Sequence, residues 1–143
     1  MFGSVSALLK AEDALWGSIE SLPFKTYINI GLESFDEATL AEIGKPLKIT
    51  DILAAFEKML AVNREYDNIE ITTNLLTGNT MSQDHHHAIM NQLSQADAQP
   101  SRKGGVYLSP LAGKQEASDL LKTFFAIQNA SRLPVFIYLI QRL

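Results

Sequence analysis

The sequence predicts a parallel α/β fold, and three observations support that prediction. Short segments rich in β-branched and aromatic residues alternate with longer segments whose apolar residues recur at helical spacing. The connections between these segments are short. The last segment, 133–140, is apolar on both faces, as a strand buried in a parallel sheet should be. We therefore expect a sheet of about four strands in sequential order with the helices outside, which resembles half of a TIM-type barrel.

The chain is predicted to begin with a helix. Apolar residues within 5–19 recur at helical spacing, and Pro23 ends the segment. The first strand is expected at 24–32, where the sequence reads FKTYINIGL. In this interpretation residues 1–22 hold a leading helix with no strand before it, and residues 23–143 supply the strands with their helices. The whole chain is then one partial barrel domain.

The later elements continue the alternation. Gly44 and Pro46 end a helix, and Thr50 is predicted to cap the next one. A turn at 77–80 separates the second strand from a polar helix. The predicted elements after the first strand are helix 36–43, a helix that begins at Thr50, strand 69–76, helix 82–95, strand 106–111, helix 115–130 and strand 133–140.

Composition excludes several classes of function. The 143 residues include no cysteine, which rules out a disulfide, a cysteine nucleophile and a cysteine-ligated iron–sulfur cluster within this chain. Twelve Lys and Arg against sixteen Asp and Glu give a net charge of −4, and no basic stripe indicates nucleic-acid binding. The longest apolar run spans about eight residues, too few to cross a bilayer, and no secretory signal stands out. We expect a cytoplasmic protein with no membrane partner.

Polar side chains follow each predicted strand, at the edge where parallel α/β folds bind ligands. Glu33 and Ser34 follow the first strand, Asn74 lies at the end of the second, and Ser109 lies at the end of the third. The Glu33 carboxylate is suited to accept hydrogen bonds from ligand hydroxyls. Ser34 either contacts a ligand or only caps the next helix, and Asn74 either contacts a ligand or only forms a turn.

Two polar segments each have two interpretations. The run Asp84, His85, His86 and His87 is either part of a metal site or a solvated first turn of a helix. Consecutive histidines on a helix point about 100° apart, so no two of them share a face for chelation, and the solvated turn is favoured.

A loop at 100–105 carries Arg102 and Lys103. It is either a small phosphate-contacting patch or a solvated loop, and the solvated loop is favoured.

Residues 27–36 (YINIGLESFD), Leu40 and residues 43–46 (IGKP) resemble the fourth-strand segment of the radical S-adenosylmethionine (SAM) superfamily. The most similar subgroup includes oxygen-independent coproporphyrinogen oxidase and the Elongator catalytic subunit, whose members carry Gly, an apolar residue, Glu or Gln, Ser and Phe, with a basic residue further on. Residues 68–80 resemble the fifth strand of that family, and residues 106–111 resemble its sixth.

The resemblance implies a role for each matching residue. Glu33 would hydrogen-bond the SAM ribose. Lys45 would pair with the SAM carboxylate, although the family more often has Arg there, so a bidentate contact becomes a point-charge contact. Asn74 would lie beside the adenine or ribose. The cofactor-binding residues implied in this way are Glu33, Ser34, Lys45, Thr73, Asn74 and Ser109.

The chain also departs from that family. The three cysteines at CxxxCxxC spacing, which hold the [4Fe-4S] cluster, are absent. The resemblance therefore implies the carboxyl-side half of a radical SAM barrel, with the iron–sulfur cluster only in a parent protein. No catalytic residue and no metal ligand is assigned to this chain, which alone is not expected to cleave SAM. The alternatives are a non-catalytic α/β interaction module and a small-ligand-binding module.

Assembly is expected because half a barrel leaves two bare sheet edges, which favour pairing with another chain. The expected partner is a second copy in a homo-oligomer or the missing amino-side half of the barrel. The alternative is a monomer whose leading helix folds across the open side of the sheet.

Overall fold

The computed structural model describes residues 2–97, 99, 102–111 and 116–138. In that part of the chain five parallel strands form one sheet in the order β1-β2-β3-β4-β5, so the predicted fold class is confirmed. The elements are β1 (Phe2–Gly3), α1 (Val5–Lys10), α2 (Asp13–Glu20), β2 (Thr26–Glu33), α3 (Glu37–Glu42), α4 (Ile49–Glu65), β3 (Ile69–Thr77), α5 (Gln83–Ser94), β4 (Val106–Pro110), α6 (Ala117–Ala130) and β5 (Val135–Ile137).

A short strand precedes the first helix, contrary to the prediction. Phe2 pairs with Asn29 and Gly3 pairs with Ile30, both in parallel register. Two residues are too few to show the alternation by which a strand is recognised in a sequence. The leading segment is therefore a strand–helix unit like the units that follow it.

The predicted leading helix is two helices. The Ser4 hydroxyl caps α1 by accepting from the Ala7 amide at 3.1 Å. At the other end, Lys58 Nζ of α4 donates to the carbonyl oxygens of Leu9 at 3.1 Å and Ala11 at 2.5 Å. These bonds satisfy carbonyls that a continuing helix would have used, so α1 ends at Lys10.

The leading helices lie on the covered face of the sheet. α1 packs against α4 and β2. Val5, Leu8 and Trp16 are buried in the main core, whereas Leu15, which the helical pattern also placed inward, is 50% exposed. The alternative of a leading helix that folds across the open side of the sheet is therefore wrong, because α1 packs against α4 and β2 instead.

Two other boundaries differ from the prediction. Helix α4 begins at Ile49 with Lys48 in the cap position, so Thr50 is not the cap. Leu47 and Ile49 pack against the core, and this burial fixes where the helix starts. The last strand is expected at 133–140, but β5 spans Val135–Ile137, and residues 139–140 lie outside the described part of the chain.

The sheet has one covered face and one open face. On β2, Ile28, Ile30 and Leu32 are buried with Phe56 of α4, whereas Tyr27 is 56% exposed. Successive side chains of a strand point to opposite faces, so the same alternation runs through the other strands. By this alternation the open face carries Tyr27, Asn29, Glu70, Thr72, Asn74, Leu76, Tyr107, Ser109 and Phe136, and Tyr138, directly after β5, stacks on Tyr107 there. In the described residues, no helix has the length and apolar character needed to cross a membrane.

A buried asparagine completes the backbone pairing of β3. Asn63 Nδ2 donates to the Ile71 carbonyl at 2.8 Å, and the Ile71 amide donates to Asn63 Oδ1 at 2.7 Å. The next backbone amide on the same strand edge, that of Thr73, donates instead to the Gly105 carbonyl at 3.0 Å. The Asn63 side chain therefore takes the place of a neighbouring strand where β4 does not reach.

Candidate functional site

A cleft lies at the carboxyl end of β2, next to the start of α1. Its volume is about 380 Å³, within the range of small-molecule sites. We call it the carboxyl-edge cleft. Its walls are Gly3, Ser4, Val5, Ser6, Asn29, Gly31, Glu33, Lys45, Leu47 and Asn74. Three of the residues predicted to bind a ligand, Glu33, Lys45 and Asn74, are therefore brought together here.

Lys45 is positioned by the end of helix α3. The Lys45 amide donates to the Leu40 carbonyl at 3.0 Å, and the Gly44 amide donates to the Ala41 carbonyl at 3.1 Å. This pair of bonds is the Schellman motif, which requires a left-handed residue, and Gly44 has a φ of 69°. The glycine stop that the sequence predicts thus turns the chain so that the Lys45 side chain lies in the cleft.

Glu33 is positioned by a bulge at the end of β2. The register with β3 shifts between Gly31, which pairs with Asn74, and Glu33, which pairs with Leu75. Glu33 has a φ of 68°, a left-handed conformation that is uncommon for a residue with a Cβ. Bulges redirect side chains in this way and often lie beside binding sites.

Gly31 provides the space that the Glu33 carboxylate occupies. A Cβ atom at Gly31 would lie 2.5 Å from Glu33 Oε1 and 3.6 Å from Lys45 Nζ. Any larger residue there would collide with the carboxylate. The glycine therefore makes room for the observed position of the glutamate carboxylate two residues later.

Glu33 and Lys45 form an ion pair inside the cleft. Lys45 Nζ lies 2.8 Å from Glu33 Oε1, and the two side chains are 22% (Glu33) and 30% (Lys45) exposed. A partly exposed pair of this kind contributes little to stability, about 0–1 kcal/mol. Both groups keep an accessible side, so the carboxylate is able to accept from hydroxyl groups and the ammonium is able to bind an anion.

A row of amide and hydroxyl groups extends from the cleft onto the open face. Asn29 Nδ2 donates to Thr72 Oγ1 at 2.9 Å and to Asn74 Oδ1 at 3.2 Å. These bonds fix the orientation of the Asn74 amide and leave its Nδ2 group as a donor. The row therefore adds directed hydrogen bonding next to the charged pair.

Ser34 lies outside the cleft, in a buried pair with His85. Neither side chain is exposed. His85 Nε2 lies 2.8 Å from the Leu76 carbonyl, which can only accept, so Nε2 carries the proton. The Ser34 hydroxyl then donates to His85 Nδ1 at 2.7 Å and accepts from the Asp36 amide at 2.9 Å. The Ser34–His85 pair therefore links the carboxyl ends of β2 and β3 to the first turn of α5.

The histidine run is not a solvated helical turn throughout. His85 is fully buried, and burial lowers its pKa from the usual 6.5. His86 is half-buried, its Nε2 is buried without a partner among the described residues, and burial lowers its pKa to about 4. Among the residues that the structure describes, no three His, Asp or Glu side chains lie close enough together to hold a metal ion.

The remaining predicted residues lie apart from the cleft. Thr73 is fully buried and its hydroxyl donates to the Ile30 carbonyl at 3.0 Å, so it has no surface to offer a ligand in this structure. Ser109 is half-buried on the open face, where it pairs with Leu76 across the sheet, and it does not line the cleft.

The sequence reasoning missed several residues of the cleft. Gly3, Ser4 and Ser6 were overlooked because β1 was not predicted. Asn29 lies in the middle of a predicted strand, two positions from Gly31 and four from Glu33. Alternate strand residues share a face, and that periodicity was the signal that could have found Asn29.

No family model matches this chain, and no curated protein or solved structure is significantly similar to it.

Proposed function

We propose that this chain is the carboxyl-side part of a SAM-binding barrel of the radical SAM type, and that it contributes contacts to the ribose and carboxylate of SAM. The observation that supports this most is the pairing of Glu33 with Lys45 in the carboxyl-edge cleft. These two residues belong to the segment that resembles the superfamily, and the local backbone brings both side chains to one small volume.

The polar groups of the cleft match the chemistry of this ligand. The ribose offers two neighbouring hydroxyls, which the Glu33 carboxylate accepts. The amino-acid carboxylate of SAM is a partner for the Lys45 ammonium. Binding then exchanges the Glu33–Lys45 pair for ligand contacts, at a cost of at most about 1 kcal/mol because the pair is partly exposed.

The cluster chemistry of such enzymes does not fit this chain. With no cysteine in the sequence, the chain has no thiolate to ligate a [4Fe-4S] cluster. In the proposal the cluster belongs to the parent protein only, and no catalytic residue is assigned here. The purified chain should form no 5′-deoxyadenosine from SAM under reducing, anaerobic conditions. Formation of that product would contradict this part of the proposal.

Calorimetric titration with SAM tests the binding. The wild-type chain should bind weakly, and Lys45→Ala should weaken binding by on the order of 1–3 kcal/mol, which is roughly fivefold to 150-fold. Lys25→Ala is the control, because Lys25 is an exposed lysine that does not line the cleft. Equal affinity for SAM in both variants, or no binding by the wild type, would contradict the proposal.

A second candidate is an interaction module, and the aromatic side chains of the open face favour it. Tyr107 stacks on Phe136 and on Tyr138 with ring centroids 5.2 and 5.1 Å apart. Phe136 is 48% exposed and Tyr138 is 43% exposed. Exposed apolar clusters of this kind mark interaction surfaces.

In this candidate the partner is a second copy of the chain or the amino-side half of a barrel. Light scattering at micromolar concentration tests the second-copy version. A homo-oligomer is the expected result, whereas a monodisperse mass near 15.8 kDa would exclude self-association.

A further inference from the structure

A second cleft lies at the opposite edge of the sheet, where β4 and β5 begin. We call it the amino-edge cleft. Its volume is about 540 Å³, enough for a small organic molecule. The wall residues that matter here are Gln99, Arg102, Lys103, Phe124, Arg132 and Phe136. It shares no wall residue with the carboxyl-edge cleft.

The cleft is positively charged in a protein of net negative charge. Three basic residues line it, and none of the described residues that line it is acidic. The side chains of Arg102 and Arg132 form no hydrogen bond or ion pair with any residue that the structure describes. Nearby, by contrast, Arg64 pairs with Asp97 at 2.9 Å. Two residues that line one cavity thus carry guanidinium groups with free donors.

The buried Lys103 adds a charge that no carboxylate balances. It is 5% exposed, and its Nζ donates to the carbonyls of Tyr66 at 2.6 Å and Asn63 at 3.5 Å, at the end of α4. No carboxylate among the described residues lies within ion-pair distance of it. Lys103 therefore caps the helix and raises the positive potential of the cleft.

One acceptor in the cleft lacks a donor. Gln99 Nε2 donates to the Asp97 carbonyl at 3.1 Å, which fixes the orientation of the amide. Gln99 Oε1 is buried, and no described residue donates to it. A buried acceptor without a partner is costly, and a ligand hydroxyl would satisfy it.

We propose that the amino-edge cleft binds a small phosphorylated compound that also carries a hydroxyl group. The phosphoryl oxygens accept from the guanidinium groups of Arg102 and Arg132, whose planar fork suits that geometry. A phosphate monoester carries about two negative charges, which matches two free guanidinium groups. The hydroxyl donates to Gln99 Oε1, and Phe124 and Phe136 face the carbon skeleton.

A backbone feature at Arg102 agrees with this assignment. Arg102 has a φ of 57°, a left-handed conformation that costs a residue with a Cβ and that recurs at ligand sites. The net charge of −4 and the cleft volume of about 540 Å³ favour a small molecule over a nucleic acid.

Calorimetric titration of the full chain with glycerol 3-phosphate, at an ionic strength held constant with sodium chloride, tests the proposal. Arg132→Ala should weaken binding about tenfold or more, as loss of a charge-assisted hydrogen bond does. Lys122→Ala is the matched control, because it removes an equal charge from a side chain that is 79% exposed on α6. No binding by the wild type, or equal weakening in both variants, would overturn the proposal.

Inorganic phosphate provides the second arm, which tests the hydroxyl contact. Gln99→Leu should weaken glycerol 3-phosphate binding severalfold while leaving phosphate binding unchanged. Equal effects on the two probes would overturn the role of Gln99. Circular dichroism of each variant confirms that it is folded. SAM binding should be the same in Arg132→Ala and the wild type, so this proposal and the SAM proposal succeed or fail separately.

Discussion

Replacing Asn63 with alanine should destabilise the protein more than any surface substitution. The Asn63 side chain is fully buried and makes two hydrogen bonds to the backbone of Ile71, one as donor and one as acceptor. Alanine removes both partners and supplies neither. The Ile71 amide and carbonyl then remain buried beside the point where β4 begins.

The size of the loss follows from these two groups. A buried donor or acceptor left without its partner costs about 1–3 kcal/mol. Two such groups give roughly 2–6 kcal/mol, a large part of the 5–15 kcal/mol that typically stabilises a domain. For a chain of this length the melting temperature should fall by roughly 6–18 °C.

Urea denaturation followed by circular dichroism measures this difference. Asn129→Ala is the matched control, because Asn129 is exposed on α6 and should change the free energy of unfolding by about 0.5 kcal/mol or less. If Asn63→Ala and Asn129→Ala lower the free energy of unfolding equally, the bonds to Ile71 do not support the strand as described.

Other substitutions test the carboxyl-edge cleft and the histidines. Gly31→Ala should displace the Glu33 carboxylate and break its ion pair with Lys45, and the melting temperature should change little because only a flexible side chain moves. A sharp drop of the melting temperature in Gly31→Ala would contradict this description of the contact. Gly17→Ala, with no atom beyond the neighbouring residues of its own helix within 4 Å of the new methyl group, should raise the free energy of unfolding by about 0.5–1 kcal/mol. Lys45→Ala should change the free energy of unfolding by at most about 1 kcal/mol, so that lost ligand binding is separable from unfolding. The pKa of His86 falls from 6.5 to about 4 on folding, so unfolding takes up a proton and stability should decrease as pH drops from 6.5 to 4. His86→Gln should reduce that decrease in the free energy of unfolding by on the order of 1 kcal/mol, less than the full pKa shift implies because the half-buried ring is partly screened by water. Urea denaturation at pH 6.5 and pH 4 measures it, and an unchanged decrease would exclude His86 as its source.

The order of strands and helices could be predicted from local patterns, whereas the leading segment could not. Gly44 ends α3 and Ser82 caps α5 because capping depends on residues adjacent in sequence. The break between α1 and α2 depends on Lys58, which lies far along the chain and binds the last carbonyls of α1. A helical pattern carries no information about such a partner.

The candidate site was predicted in part for a similar reason. Glu33 and Lys45 follow from a short continuous segment, and the structure brings them to one cleft. Ser34 was assigned from that same segment and Thr73 from the segment 68–80, but both residues are fully buried. The face of the sheet to which a side chain points depends on the bulge before Glu33 and on the strand register, since a shift of one residue moves every side chain of a strand to the opposite face.

An NMR titration of the isotope-labelled chain with SAM tests directly whether the ligand occupies the carboxyl-edge cleft. The proposal predicts that backbone signals shift at Gly31, Glu33, Lys45 and Asn74, and that Lys45→Ala reduces these shifts at the same SAM concentration. Signals of the amino-edge cleft, such as Arg132, should stay unchanged. Shifts confined to other parts of the chain, or none at millimolar SAM, would contradict the assignment of this cleft to SAM.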